Sequence, residues 1–247
     1  MLMIFRRPWF PMVCALTAAG LVAGCAFKPK VTSEASPDID KYHVKSVVVV
    51  PFDAVKTPQV ADTVMVEPPA PAGIKRSDIE VIGPSGQRLD RPTEGIPAHA
   101  PDRVTRAMYG KLSVLEGLTV FSPDDAAAAV ASLKGSGEPV KPSSLATQVA
   151  KKMAADAALI GRVMVYQERK GNKLGGETAA VGFEVRLVAA DGTLLWSGNY
   201  YEKQKPFNED AKGFAEHGGV FVTADELVEY GTAKLTDQFP FGARAKR

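Results

Sequence analysis

The stretch Val44–Phe52, with the sequence VKSVVVVPF, decides the fold. Its four consecutive valines, Val47–Val50, favour an extended backbone and are apolar on both sides of it. Pro51 ends the run, because proline has no N–H to donate to a strand ladder. A strand that is apolar on both faces lies in the interior of a sheet, so the stretch predicts a central strand.

Helices are predicted on the C-terminal side of this strand. In Pro101–Glu116 the apolar residues recur at helical spacing, and Gly117 follows them as a stop signal. A short strand is predicted at Leu118–Ser122. Ser122 is also a good N-cap for a second helix, because proline and two acidic residues follow it in the first turn. A third helix is predicted over residues 143–156.

Three strands and a last helix complete the pattern. The strands are predicted at Ala157–Glu168, Thr178–Ala190 and Thr193–Gln204. The pair Asp191-Gly192 predicts a hairpin between the last two strands. In the third strand, alternation places four residues on one face: Leu194, Trp196, Gly198 and Tyr200. The last helix begins at a capping box formed by Thr223 and Glu226.

Together these elements predict an α/β fold, a two-layer sandwich of a mixed sheet with a C-terminal antiparallel meander packed by helices. The predicted domain covers residues 44–240. It contains a long loop insertion at residues 53–96, which includes the proline-rich stretch EPPAPAG. A short basic tail follows at residues 241–247.

The N-terminal segment has the features of an export signal. Arg6 and Arg7 precede an apolar run, Pro8–Phe27, which allows two interpretations: a cleaved signal peptide or a permanent membrane-spanning anchor. Near its end is a motif that resembles the lipobox of bacterial lipoproteins: Val22, Ala23, Gly24 and Cys25. The resemblance implies that residues 1–24 are removed as a signal peptide. It also implies that Cys25 is acylated on its sulfur and on its new amino group.

A lipobox has consequences for chemistry and for location. Cys14 leaves with the signal peptide and Cys25 carries the lipid, so the mature chain has no thiol for a disulfide, a metal site or a nucleophile. Several acyl chains hold a protein firmly to a bilayer. By resemblance to the sorting rule of such lipoproteins, alanine at position 26 favours the outer membrane, with the body facing the periplasm. The inner membrane stays open as an alternative.

Residues 25–43, from the lipidated cysteine onward, are predicted to form a flexible tether. They are mostly polar and contain two prolines. A coil of this length has a root-mean-square reach of about 25 Å. The domain is therefore expected to stand away from the membrane.

The order of elements resembles a group of bacterial envelope lipoproteins. The resemblance rests on VKSVVVVPF, LTVFSPDDAAAAV and AADAALIGRVMVY, followed by an amphipathic hairpin, and extends over residues 44–239. The group includes curli-secretion-type and penicillin-binding-protein-activator-type lipoproteins, whose domain is similar to the amino-terminal domain of the Tol-system translocation protein. The long insertion at residues 53–96 departs from its compact members. We predict no pore, because the sequence lacks glycine- and aromatic-rich membrane strands.

No motif for catalysis or cofactor binding is found in the sequence. His43, His99 and His217 are far apart and lack the spacing of metal ligands. The glycine-rich pieces lack a Walker lysine and Rossmann spacing, and there is no G-x-S-x-G elbow. We therefore predict no catalytic residue, no metal and no cofactor. A net charge of +2, which includes Arg6 and Arg7, argues against nucleic-acid binding.

One aromatic cluster is a candidate for binding a protein partner. It lies where the last predicted strand leaves the sheet and consists of Tyr200, Tyr201, Pro206 and Phe207. The alternative is that these side chains cover the core or a sheet edge.

The sequence favours a non-enzymatic lipoprotein, anchored by lipid on Cys25, that acts as a docking or assembly module for a cell-envelope complex. A homo-oligomer is compatible with this interpretation. The alternative is a periplasmic enzyme or a small-ligand-binding protein that uses residues 53–96 as a lid. An open sheet edge or an exposed apolar patch would favour docking, and a pocket with convergent polar groups would favour the alternative.

Overall fold

The computed structural model describes residues 30–56, 95–134 and 142–244. The strands are β1 (Val31–Ala35), β2 (Ser46–Val49), β3 (Asp53–Ala54), β4 (Leu115–Glu116), β5 (Thr119–Phe121), β6 (Ala157–Gln167), β7 (Lys170–Asn172), β8 (Gly175–Glu177), β9 (Ala180–Ala189), β10 (Leu194–Lys203) and β11 (Ala243–Arg244). The helices are α1 (Ala100–Leu112), α2 (Pro123–Lys134), α3 (Pro142–Lys152), α4 (Ala211–Glu216) and α5 (Ala224–Thr236), with a short 3-10 helix at Ile39–Lys41. The predicted lipobox and residues 57–94 of the predicted insertion lie outside the described residues.

Seven strands form one mixed sheet. Six of them follow the order β1-β10-β9-β6-β2-β5, and β3 pairs with β6 beyond the end of β2. Strand β2 runs parallel to β5 and β6, whereas β9 is antiparallel to β6 and β10, and β10 is antiparallel to β1. The predicted α/β class, the mixed sheet and the antiparallel meander packed by helices are confirmed.

The valine run lies at the centre of two cores, which is why it is apolar on both sides. Val47 and Val49 pack in the core that α1 and α5 form on one face of the sheet. Val48 and Val50 pack on the other face with apolar residues of α2 and α3. The predicted central strand is confirmed, because β2 pairs with β5 on one side and with β6 on the other.

The second helical layer covers only part of the sheet. Helices α2 and α3 pack against β2 and β6 and reach Val188 of β9. Farther along the sheet, the side chains of β10 and β1 that point to this face include the exposed Asn199, Tyr201 and Glu34. In the described part of the chain, the β10–β1 side of the sheet therefore has helices on one face only, and the side chains named above are exposed on the other.

The predicted tether is wrong for residues 31–43. Strand β1 lies at the edge of the sheet, antiparallel to β10, with Val31 opposite Tyr200 and Ala35 opposite Trp196. Its sequence, VTSEA, is mostly polar because one face and the outer edge of the strand meet solvent. Such an edge strand lacks the apolar alternation that identifies a strand in sequence.

Two smaller corrections also come from pairing between distant segments. A bulge between Leu194 and Trp196 turns Leu194 away from the face that Trp196 and Tyr200 share, so Leu194 is exposed. At the C-terminus, β11 pairs with β4, and Phe241 packs against the main core. Residues 241–244 therefore belong to the domain rather than to a basic tail.

Candidate functional site

A buried carboxylate, that of Glu202, is the centre of a polar cluster near the end of β10. Its side chain is only 3% exposed. Oε1 of Glu202 lies 2.8 Å from Nζ of Lys30 and 2.7 Å from Nε2 of His217, and the hydroxyl of Tyr200 donates to Oε2 at 2.8 Å. An ionised carboxylate can only accept hydrogen bonds, so Nε2 of His217 carries the proton in this contact.

A second carboxylate extends the cluster to the outer side of the domain. Nζ of Lys30 also lies 2.8 Å from Oε2 of Glu216, which accepts a further hydrogen bond from the hydroxyl of Tyr230 at 3.3 Å. The ring of His217 packs edge-on against the ring of Tyr230, with 4.9 Å between the centroids. We call this group the Glu202 cluster; it consists of Lys30, Tyr200, Glu202, Glu216, His217 and Tyr230.

The ion pairs of the cluster outweigh the effect of burial on its acidic and basic groups. Burial alone would raise the pKa of Glu202, but hydrogen bonds from His217, Lys30 and Tyr200 hold that pKa below its ordinary value. Burial alone would lower the pKa of Lys30, but hydrogen bonds to Glu202 and Glu216 raise it. Burial raises the pKa of Tyr200 beyond any physiological range. Glu202 and Lys30 are therefore charged, and Tyr200 is neutral, at neutral pH.

The geometry of the cluster suits a structural clamp. Both oxygens of Glu202 have donors, and Lys30 is the residue immediately before β1. The cluster thereby joins the start of β1 to the end of β10 and to α4. A buried charge needs such a set of partners, because an unpaired one is costly to desolvate.

Acid should reduce the stabilisation that Glu202 gives to the fold, and the substitution Glu202→Gln tests this. Since the pKa of Glu202 is lower in the folded chain than in the unfolded one, its stabilising effect is complete above about pH 4.3 and is lost as the pH falls through the folded-state value. We expect Glu202→Gln to flatten the fall of the unfolding free energy between pH 6 and pH 3, measured by urea unfolding. Glu184→Gln, on the solvent side of β9, is the matched control and should keep the wild-type slope. An unchanged slope in Glu202→Gln would contradict this assignment.

The face of β6, β9, β10 and β1 that α2 and α3 leave open carries alternating charges. Arg162 of β6 donates to Asp53 of β3 at 3.0 Å, and Arg186 of β9 lies 3.4 Å from Glu184 of the same strand. The exposed Tyr201 of β10 lies beside them in the sheet, because it is paired with Gly182 of β9. We call this surface the open sheet face; it is formed by Glu34, Arg162, Glu184, Arg186, Asn199 and Tyr201.

A shallow cavity of about 290 Å³ lies beside this face, at the N-terminal end of α3. Its lining is Pro142, Ser143, Ile160, Arg186, Val188, Gly192 and Leu194. It contains one charged side chain, Arg186, and no member of the Glu202 cluster. The cavity and the buried polar cluster are therefore separate features of the domain.

The four residues predicted as a partner-binding patch do not share one surface. Tyr200 is fully buried in the main core, so it cannot contact a partner. Tyr201 points to the open sheet face, because successive residues of a strand alternate in direction. Pro206 is half-buried beyond the end of β10, and Phe207 is 65% exposed and packs edge-on against Phe214.

The sequence also singles out the lipobox residues and His217. Val22, Ala23, Gly24 and Cys25 lie outside the described residues. His217, which follows α4, has a side chain that is only 5% exposed, because it packs between Glu202 and Tyr230. In residues 30–56, 95–134 and 142–244, no group of three His, Cys, Asp or Glu residues is arranged to hold a metal, and no helix is long and apolar enough to cross a membrane.

Sequence reasoning missed the Glu202 cluster, although one signal pointed to it. The alternation of β10 places position 202 on the core side, two residues after Tyr200. A charged residue at a core position needs a partner, so a buried ion pair could have been expected there. The partners could not have been named, because Lys30 is 172 residues away in the chain.

No protein-family model matches the chain, and no curated protein matches it. Among solved structures, it is similar to the PelC dodecamer from Paraburkholderia phytofirmans, with a TM-score of 0.45 and 14% identity over 87% of this chain and 98% of that chain. It is also similar to lipoprotein GNA1162 from Neisseria meningitidis, with a TM-score of 0.36 and 18% identity over 70% of this chain and 91% of that one. For the LpoB C-terminal domain from Salmonella enterica, the TM-score is 0.35 and the identity 14% over 68% and 94% of the two chains. Similarities at this level support no functional conclusion.

Proposed function

We propose that the protein is a lipoprotein of the bacterial envelope, anchored in the outer membrane by lipid on Cys25 and facing the periplasm. Its domain acts as a non-enzymatic docking or assembly module for another envelope protein. The anchor is supported by the N-terminal sequence, and the docking role by the shape and charge of the sheet.

The support for the anchor is the order of features in the first 25 residues. Two arginines, an apolar run and two small residues before a cysteine occur in the order that lipoprotein processing requires. Thioether-linked and amide-linked acyl chains on one residue would together give stable attachment, whereas a single chain would not. The anchor uses the only cysteine that remains after cleavage between Gly24 and Cys25.

The observation that carries the docking role is the open sheet face together with its edge strand. Among the residues that the structure describes, β1 is the edge of the sheet, and an edge strand can pair through its outer backbone groups with an extended segment of a partner. Beside this edge, the open sheet face combines the half-exposed Tyr201 with Glu34, Glu184 and Arg186. Tyrosine and arginine are enriched in protein interfaces, and charges of both signs give orientation to a contact.

The Glu202 cluster supports a structural role rather than catalysis. Its charged groups are bonded to one another, and the cavity of the open sheet face is lined by other residues. A catalytic acid or base must lie within hydrogen-bonding reach of a substrate. The cluster instead fixes the edge strand β1, on which docking would depend.

The anchor predicts a specific intact mass. The purified wild-type protein should begin at Cys25 and carry acyl mass, whereas Cys25→Ala should be neither acylated nor cleaved. Cys14→Ala is the matched control, and its mature mass should equal that of the wild type because residue 14 is removed. A wild-type species that begins at Met1 without added acyl mass would refute the anchor.

Docking is tested by placing a photo-crosslinking amino acid at Asn199 of the open sheet face in living cells. We expect one discrete crosslinked protein from this position. The same substitution at Glu229, on the exposed side of α5, should give none. If neither position crosslinks and the purified protein carries a bound small molecule, the alternative of a ligand-binding protein or enzyme replaces this proposal.

A further inference from the structure

The end of the sheet at which β1 begins is also the end at which β6 and β10 finish. In the register of the sheet, Val31 lies opposite Tyr200, and the amide of Tyr201 donates to the carbonyl of Lys30 at 2.9 Å. We call this end of the domain the anchor end. The opposite end, where β2, β6 and β10 begin and β1 finishes, is the far end.

The chain between the anchor end and the proposed lipid is short. Lys30 follows Cys25 by five residues, so the two can be no more than about 18 Å apart even in a fully extended chain. The tether expected from the sequence had a longer reach, because it included residues that the structure places in β1. If Cys25 is lipidated, as proposed above, the anchor end is therefore held against the bilayer.

The Glu202 cluster fixes the point at which the chain that leads to Cys25 enters the domain. Lys30 is bonded at once to Glu202 on β10 and to Glu216 on α4, at 2.8 Å in each case. Lys30, the described residue nearest to Cys25 in the chain, is thus bonded to two elements of the domain. Because the chain toward Cys25 leaves the domain at the anchor end, that end faces the membrane.

Exposed apolar side chains lie at this same end. The turn of the β7–β8 hairpin carries Leu174, which is 79% exposed, and the amide of Phe221 donates to the carbonyl of Lys173 in that turn at 2.8 Å. Phe221 packs edge-on on Phe214, which packs edge-on on the exposed Phe207, with centroid distances of 5.5 and 6.3 Å. A chain of contacts through the buried Phe221 and through Phe214 therefore links the hairpin turn to Phe207.

Basic residues flank these apolar ones in the sequence. The complete connections at this end, 168–179 and 203–223, contain six basic residues against five acidic ones. The basic residues are Arg169, Lys170, Lys173, Lys203, Lys205 and Lys212. Lysine and arginine near a bilayer surface are attracted to anionic lipid headgroups, and their apolar stems extend to the same depth as neighbouring apolar side chains.

The far end also has exposed apolar side chains. Val114, after α1, is 70% exposed, and Leu194, at the start of β10, is 47% exposed. The segments at this end, 36–45, 113–118, 151–156, 190–193 and 237–244, contain five basic residues against six acidic ones. The two ends therefore differ little in charge, and the short chain to Cys25 is what distinguishes the anchor end.

We propose that the anchor end is a membrane-contact surface that rests on the phospholipid bilayer in which the lipid on Cys25 is embedded. Leu174 and Phe207 enter the headgroup region, and the flanking lysines lie against lipid phosphates. The open sheet face, which runs along the strands rather than across their ends, then stands beside the bilayer and is accessible to a partner.

The test uses the lipidated full-length product in vesicles of phosphatidylethanolamine with one quarter phosphatidylglycerol. Leu174→Cys, Phe207→Cys and Val114→Cys each provide a single thiol for a nitroxide label, because lipid occupies Cys25. Collision rates with oxygen and with a water-soluble nickel chelate report the depth of the label. On insertion into vesicles, we expect the oxygen-to-nickel ratio to rise about threefold or more at positions 174 and 207, and to stay unchanged at 114.

A second pair of variants tests the charge. Lys173→Glu combined with Lys205→Glu should reduce the rise at position 207, whereas Lys41→Glu combined with Lys151→Glu at the far end should leave it intact. Equal accessibility to nickel at all three labelled positions, in a protein that floats with the vesicles, overturns the membrane contact and leaves the anchor standing. A protein that does not float refutes the anchor, and with it the contact.

Discussion

Replacing Glu202 with alanine is expected to lower the free energy of unfolding by about 3–5 kcal/mol. The substitution leaves the buried groups of His217 and Tyr200 without their acceptor, and Lys30 without its inner carboxylate. A domain of this size is typically stable by only about 5–15 kcal/mol, so the loss is a large fraction of the total. Urea unfolding at neutral pH measures it.

The same variant should loosen one strand more than the rest of the sheet. Since the cluster fixes Lys30, we expect the amide of Tyr201, which donates to Lys30, to exchange with deuterium faster than amides in the middle of β9. Glu184→Ala, on the solvent side of β9, is the control and should change stability by less than about 0.5 kcal/mol. Equal effects of the two substitutions would mean that the cluster does not stabilise β1.

Replacing Gly231 with valine is expected to destabilise the fold by about 2–3 kcal/mol. Gly231 lies in α5 where the helix crosses β10, and a Cβ atom there would overlap the ring of Tyr200. That ring is fully buried and packs against Phe183, so it has no open space into which to move. Thermal or urea unfolding of the purified variant measures the loss.

A second helical glycine provides the control for this prediction. Gly110 is an exposed residue of α1, and a Cβ atom there would meet nothing within 4 Å. Gly110→Val should therefore change stability by no more than about 0.5 kcal/mol, since valine in a helix is slightly better than glycine. If both variants lose the same stability, then the cost comes from the helix itself and not from contact with Tyr200.

Displacement of the Tyr200 ring would also move its hydroxyl away from Glu202, so the effects of Gly231→Val and Glu202→Ala on the unfolding free energy should be non-additive.

The parts of the fold that could be predicted are those with short-range signals. The capping box was visible as Thr223 and Glu226, and both of its hydrogen bonds form. The Asp191-Gly192 turn joins β9 and β10 as expected, with Gly192 at a positive φ of 99°. In each case the interacting groups are within four residues of one another, so their chemistry can be read from neighbouring letters of the sequence.

The candidate site was predicted less well, because which of its side chains are buried depends on packing between distant segments. Tyr200 and Tyr201 are adjacent and identical in type, yet one is a core residue and the other faces solvent. Alternation along β10 separates them, and α5 determines which side is covered. For the same reason His217, which has no recognisable spacing to another ligand or acid, lies against a carboxylate 15 residues away.

The sequence by itself determined the central valine strand, the alternating strands and the helix caps. Each of these depends on residue types at fixed short spacing, because backbone propensity and amphipathic periodicity act locally. The tertiary structure alone decided that residues 31–35 complete the sheet, that Lys30 meets Glu202 and Glu216, and that Leu174 and Phe207 are exposed at the end where β1 begins. These features depend on contacts between segments up to 186 residues apart, which form only when the chain has buried its common core.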